Sequence, residues 1–188
     1  VPEYLSTTST PQPFALWLTP ATGDRRWLSK VIQDFSATHQ TPAFEPHVTL
    51  YTGVLSPEDC LEEIVQSVFA PETPLTLEVA GLGCTEEFSR SGFIAFESCN
   101  RLTQLYQKIC TQLSQPSSYS LDPHLSLFYA DFPLEQKRLA LRRIIFSVKQ
   151  VTVDTLKIVT PRTGNWLDLD QWQILRSYPL QPGSSGTG

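Results

Sequence analysis

The sequence predicts an α+β fold in two lobes, each a copy of one strand-helix-strand-helix-strand plan, and three observations predict it. His47-Val48-Thr49-Leu50 and His124-Leu125-Ser126-Leu127 are tetrapeptides of one design, each preceded by a proline. They stand 77 positions apart (124 − 47), and each is followed 22 positions later (69 − 47 and 146 − 124) by an aromatic residue closing an amphipathic run, Phe69 and Phe146. Between these marks, stretches of strand period and of helix period follow one another in the same order twice, the pattern of an internal duplication.

In the first copy the run Phe14 to Thr19 reads as a short apolar strand. Trp27, Leu28, Val31, Ile32 and Phe35 then recur at helical spacing within a helix from about Asp24 to Thr38. The strand of His47 follows. Ser56-Pro57-Glu58-Asp59 has the form of an N-cap, a first-turn proline and first-turn acids, so a helix is expected from there to about Phe69. A strand from Leu75 to Leu82 closes this half. The second copy is expected to hold a strand at Phe93 to Glu97, a helix from about Arg101 to Leu113, the strand of His124, a helix opened by Pro133 and reaching about Phe146, and a strand from Val151 to Val159. A last strand, Gln171 to Tyr178, adds to one sheet. The expected organisation is one two-lobed domain over residues 13–180, with residues 1–12 and 181–188 disordered. The latter is a Gly/Ser stretch that resembles an appended expression tail.

Hydrophobic residues make up 40% of the 188 and charged residues 18%, the balance of a globular chain that can bury a core. No run approaches a membrane span, and the N-terminus has no basic-then-apolar leader, so a cytoplasmic protein is expected; a monomer is the expected oligomeric state. A net charge of −5 argues against long nucleic acid as the partner, because affinity for such polymers comes from neutralising many phosphates. One phosphate on a small molecule needs only a few aimed donors. Cys60, Cys84, Cys99 and Cys110 are scattered without zinc-ligand spacing, so no metal or other cofactor is expected, and the thiols are read as reduced.

Alternation along a strand puts His47 and Thr49 on one face and Val48 and Leu50 on the other; His124 and Ser126 separate likewise from Leu125 and Leu127. A proline-preceded histidine followed by apolar, Ser/Thr and Leu arises on the order of once per thousand histidines, so finding it in two of three sets both apart from structural histidines. His39, in a Thr/Gln loop, is read as structural. Packing the halves about a pseudo-two-fold axis would bring one imidazole and one hydroxyl from each to a shared cleft. That set performs acid-base chemistry on phosphorus without a metal: one imidazole activates water, the other protonates the departing oxygen, and the hydroxyls donate to the non-bridging oxygens.

Trp17 alternates with Leu16 and Leu18 and so faces away from them, either into the cleft or into other apolar packing. Tyr51 shares the His47 face by alternation, and Phe128 that of His124. Tyr129 falls on the opposite face unless a bulge or a strand end intervenes. Arg138, Arg142 and Arg143 read as the solvated face of the fourth helix, and Gly81 and Gly83 as turn residues.

The His-x-Thr and His-x-Ser motifs, one per half, resemble those of the two-histidine phosphoesterases. Phe44-Glu45-Pro46-His47-Val48-Thr49-Leu50 and Asp122-Pro123-His124-Leu125-Ser126-Leu127-Phe128-Tyr129-Ala130, with Leu16-Trp17-Leu18-Thr19-Pro20, resemble the plant-type cyclic nucleotide phosphodiesterases within it. The resemblance spans roughly Phe14 to Tyr178. It implies the RNA ligase/cyclic phosphodiesterase-like architecture, two antiparallel sheets lining a central cleft with helices outside. It also implies hydrolysis of ADP-ribose 1″,2″-cyclic phosphate and of nucleoside 2′,3′-cyclic phosphates to 2′-phosphates. His47 and His124 would be catalytic, with His124 the base and His47 the acid. Thr49 and Ser126 would bind phosphate, and Trp17, Tyr51, Phe128 and Tyr129 would contact substrate. The alternatives are a relative acting on RNA ends or 2′,5′-linked oligonucleotides, and a non-catalytic nucleotide- or RNA-binding module.

Overall fold

The computed structural model describes residues 12–181. In chain order the elements are β1 (Gln12–Pro20), α1 (Thr22–His39), β2 (Val48–Leu55), α2 (Leu61–Phe69), β3 (Leu75–Gly83), β4 (Gly92–Phe96), α3 (Asn100–Gln112), β5 (His124–Phe128), α4 (Leu134–Arg142), β6 (Gln150–Pro161) and β7 (Trp172–Pro179). The mixed α+β class and the order of elements are those the sequence predicts. Of the terminal segments expected to be disordered, all but Gln12 and Gln181 lie outside the described residues; Gln12 opens β1, and the Gln181 N–H donates to the Glu72 carbonyl.

The strands form one antiparallel sheet in the order β1-β2-β5-β4-β3-β6-β7, and β1 also pairs with β6. The two sheets of the expectation are therefore joined twice. The first join is β6, whose start pairs with β3 while its later part pairs with β1 and β7. The second is a single pair, Val48 with Leu125, from which β2 and β5 diverge. Each half lends its third strand to the other: β3 pairs with β4, and β6 with β1. The pseudo-two-fold axis passes through two self-related pairs, Val48 with Leu125 and Thr76 with Thr152, the latter with hydroxyls 3.3 Å apart.

Burial follows the two periods. Along β1, Phe14, Leu16 and Leu18 enter the main core, whereas Ala15 and Trp17 join Val159, Trp166 and Trp172 in a small cluster on the other side. Leu61, Ile64, Val65 and Val68 of α2 and Leu102, Leu105 and Ile109 of α3 are apolar stripes at helical spacing, and both enter the main core. The core side of the sheet is thus covered by helices, which leaves the opposite side to form a cleft.

Two helix boundaries differ from the expectation. Ser56-Pro57-Glu58-Asp59 is a turn, closed by the Asp59 N–H on the Ser56 carbonyl at 3.0 Å, and α2 begins at Leu61. The Asp59 carboxylate is engaged elsewhere: it accepts from the Ser114 N–H at 3.2 Å and the Ser114 hydroxyl at 2.6 Å, which ties down the chain leaving α3. Helix α4 stops at Arg142, where bonds from the Arg143 and Ile144 N–H groups to carbonyls three residues back tighten its last turn. Phe146 packs against Trp27 beyond that end, so the equal counts from the two histidines do not mark equivalent helix termini. No helix of the described residues is long and apolar enough to cross a membrane.

Candidate active site

The single Val48–Leu125 pair fixes the register of the two motif strands, so His47 stands opposite Ser126 and Thr49 opposite His124. A cavity of about 390 Å³ opens over this point, and His47, Thr49 and His124 line it. Ser126 is 4% exposed, sits beside Tyr129 and is absent from the cavity lining.

Beyond the motifs, a bulge in each strand changes which side chains face the cleft. In the β1–β2 ladder Leu16 pairs with Tyr51 and Trp17 with Thr49, so Leu50 is the extra residue; in the β4–β5 ladder Gly92 pairs with Phe128 and Phe93 with Ser126, so Leu127 is. The two bulges are equivalent under the duplication, and each reverses the alternation. Tyr51 and Phe128, expected on the cleft face, are therefore in the main core, 1% exposed each. The Tyr51 hydroxyl accepts the Ser117 N–H at 2.7 Å, and Phe128 stacks on Phe35 at 4.0 Å. A Cβ on Gly92 would lie 2.2 Å from the Phe128 ring, so the second bulge requires glycine there. The residues sent to the cleft instead are Thr52 and, just past the end of β5, Tyr129.

Both histidines are oriented in the same way. Nδ1 of His47 is 2.7 Å from the Glu45 carbonyl, and Nδ1 of His124 is 2.8 Å from the Asp122 carbonyl, each two residues back across the proline. A carbonyl can only accept, so Nδ1 carries the hydrogen in both rings and Nε2 is left for chemistry. Trp17 stacks flat on His47 at 3.7 Å, and Phe93 meets His124 edge-on at 5.3 Å. These two aromatics also correspond under the duplication, since Trp17 pairs with Thr49 and Phe93 with Ser126.

Burial lowers His47 to about 4, against a raising effect of the Glu45 carbonyl, and the charges of His124 and Lys157 lower it further. Burial also lowers His124, which is less enclosed; the Asp122 carbonyl opposes this and the Arg90 charge adds to it. Burial holds the Tyr129 phenol up at about 12, so it is a neutral donor at ordinary pH.

The depressed value of His47 makes folding pH-dependent with a definite sign. Above about pH 6.5 the ring is neutral in both states. Between 6.5 and 4 the unfolded chain binds a proton that the folded chain refuses, so stability falls as pH falls, by about 3 kcal/mol in total. Urea unfolding at pH 7 and pH 4.5 should show the His47→Gln variant losing less stability than the parent over that interval. Parallel losses in the two proteins would contradict the assignment.

Several residues at the site carry no motif in the sequence. Arg90 lines the cleft from the short 3₁₀ turn Phe88–Arg90, and Trp166 and Leu167, between β6 and β7, form a wall with Trp172 at the start of β7. Trp172 meets His47 edge-on at 5.7 Å and Tyr129 at 5.8 Å, and its indole N–H donates to the Trp166 carbonyl at 3.1 Å. One signal was available: three of the four tryptophans line this cavity, two of them six positions apart just after Gly164-Asn165. Arg90 offers no such signal. His39 packs against Phe35 and Phe132, 4.3 and 5.5 Å away, outside the cleft.

Among solved structures, the chain is similar to E. coli LigT complexed with 3′-AMP, at 15% identity over 92% of this chain and 99% of that one, with a TM-score of 0.52. It is also similar to E. coli LigT complexed with NADP+, at 17% identity over 91% and 99% with a TM-score of 0.53. A third likeness is to Kluyveromyces marxianus Usb1, at 14% identity over 92% and 100% with a TM-score of 0.51. At these identities the likeness is one of fold. A comparison with curated protein sequences returns no match. The family model of the 2′-5′ RNA ligase superfamily matches residues 12–165. That match covers both motifs and every strand but β7, and the chain belongs to the 2′-5′ RNA ligase superfamily.

Proposed function

We propose that this chain hydrolyses a cyclic phosphodiester on a small nucleotide by two-histidine acid-base catalysis, in the manner of the plant-type cyclic nucleotide phosphodiesterases. Its substrates would be ADP-ribose 1″,2″-cyclic phosphate and nucleoside 2′,3′-cyclic phosphates, with 2′-phosphates as the products of the latter. The observation that carries this reading is the pair of equivalent imidazoles, each with Nδ1 tied to a backbone carbonyl and Nε2 left for one shared cavity. The cavity, about 390 Å³, is of the size that takes a small ligand rather than a polymer. The LigT complexes with 3′-AMP and NADP+ support a nucleotide as the occupant of such a fold.

In this reading one Nε2 takes a proton from the attacking water and the other gives a proton to the departing ribose oxygen, so the ring phosphate opens with no net change in protons on the protein. Thr49 and Ser126 donate to the non-bridging oxygens as charge builds there. Burial holds His47 neutral more firmly than His124, which favours His47 as the base and His124 as the acid in the free protein, the reverse of the order the resemblance implies.

Phosphorus NMR of a panel of cyclic phosphates, incubated with the protein in excess EDTA, tests the reading because the product resonance reports both substrate and bond cleaved. The expected result is conversion of 2′,3′-cyclic nucleotides to 2′-phosphates with chelator present. Binding without turnover would point instead to a nucleotide-binding module, and loss of turnover in EDTA to metal-assisted hydrolysis.

A further inference from the structure

The cleft is asymmetric although the halves that build it correspond. The acid that precedes each Pro-His dipeptide is paired with one cation: Glu45 with Lys157, and Asp122 with Arg90. Lys157 is 8% exposed, lies across from Trp17 in the β1–β6 ladder and is absent from the cavity lining. Arg90 lines the cavity next to Ser89 and Ser120, on the side of His124. Its guanidinium lies 4.6 Å over the face of Phe93, the ring that meets His124. One of its terminal nitrogens holds Asp122, a half-exposed carboxylate, and its Nε has no partner among the described residues. The fork is thus fixed in place by a ring and one acid, with donor capacity left over. On the side of His47 the lining is apolar: Trp166, Leu167, Trp172 and Ala15 present aromatic and aliphatic surface suited to a nucleobase.

The geometry points to a second anion subsite at Arg90, which receives a phosphate that the substrate carries in addition to the cyclic one. This rests on the reading of the cleft as a nucleotide cyclic-phosphate site. The base lies at the Trp166 wall, the cyclic phosphorus between the two imidazoles, and the further phosphate at the guanidinium, so the substrate has one productive direction in a cleft whose halves correspond. Two sources share this chemistry, a terminal phosphate or diphosphate on the ribose 5′ carbon and the phosphodiester to a preceding nucleotide.

The test compares kcat/KM for adenosine 2′,3′-cyclic phosphate, for its 5′-phosphorylated form, and for the adenine dinucleotide ending in a 2′,3′-cyclic phosphate. The parent protein should favour one or both of the substrates bearing the extra phosphate by roughly 10- to 100-fold, chiefly through KM, the range of a charge-assisted contact. Which of the two is favoured identifies the source. The preference should shrink to near unity in Arg90→Gln, survive in part in Arg90→Lys, and weaken with added salt. Equal use of the three substrates by the parent, or the same preference in parent and Arg90→Gln, overturns the subsite while leaving the cyclic-phosphate reading intact. Turnover of none of the three removes that reading, and the subsite with it.

Discussion

Replacing His47 or His124 with alanine should each lower kcat/KM for a 2′,3′-cyclic nucleotide by roughly 10²- to 10⁴-fold, and the double replacement should cost little more than the worse single one. The non-additivity arises because base and acid act in one displacement, so losing either removes most of what the pair supplies. A substrate with a nitrophenolate leaving group separates the roles, because such a group departs without a proton. Since His47 is held at about 4 and His124 is lowered less, His124→Ala should recover most of its activity on that substrate and His47→Ala little. The pH profile of kcat/KM should be bell-shaped and displaced to acid, its rising limb near 4 as His47 loses its proton and its falling limb below 6.5 as His124 loses its own. Rescue of His47→Ala alone would restore the opposite order of roles. Single variants within a few-fold of the parent would remove both residues from the chemistry.

The strands that carry the motifs were legible because their period is 2 and their apolar residues are large: Val48, Leu50, Leu125 and Leu127 are each fully buried, as alternation with His47 and His124 requires. The same rule misplaced Tyr51 and Phe128. Nothing in Thr49-Leu50-Tyr51 or Ser126-Leu127-Phe128 marks a bulge, since a bulge is set by the partner strand, and in the second half by the need for Gly92 to clear the Phe128 ring. That the error occurs at matching positions in both halves shows how far the duplication extends below visible identity. The Ser56-Pro57-Glu58-Asp59 expectation failed for a related reason: a capping pattern is local, and a contact 55 positions away, from Ser114 to Asp59, uses the acid otherwise. Arg90 and Trp166 enter the cleft from connections between strands, where no periodicity acts; the spacing of the tryptophans hints at the Trp166 wall, whereas Arg90 is revealed by the assembled sheet.

Lys137→Met should destabilise the fold by about 3 kcal/mol, one of the largest effects available outside the main core. Lys137 is 1% exposed, at a position of α4 that spacing assigns to the apolar face, three after Leu134 and four before Leu141. Its Nζ donates to the carbonyls of Thr85, Glu86 and Glu87 at 3.1, 3.0 and 3.3 Å, so one ammonium commits all three hydrogens to the chain that leads into Phe88, Ser89 and Arg90. Methionine keeps the apolar stem but leaves three carbonyls facing a thioether, with no donor in reach. In a chain of this length the melting temperature should drop by roughly 6–12 °C. The loop it holds delivers three residues of the cavity lining, Phe88, Ser89 and Arg90, with Phe88 against Tyr129 and Arg90 against Asp122, so KM should rise in the surviving folded protein while kcat, which the proposed mechanism assigns to the histidines, changes less. A loss of under about 1 kcal/mol would mean that water replaces the ammonium at the three carbonyls. An unchanged KM would detach the loop from substrate binding. A Lys at a core-facing helical position, read as a buried donor rather than as one more surface charge, is therefore the sequence signal that links α4 to the cleft.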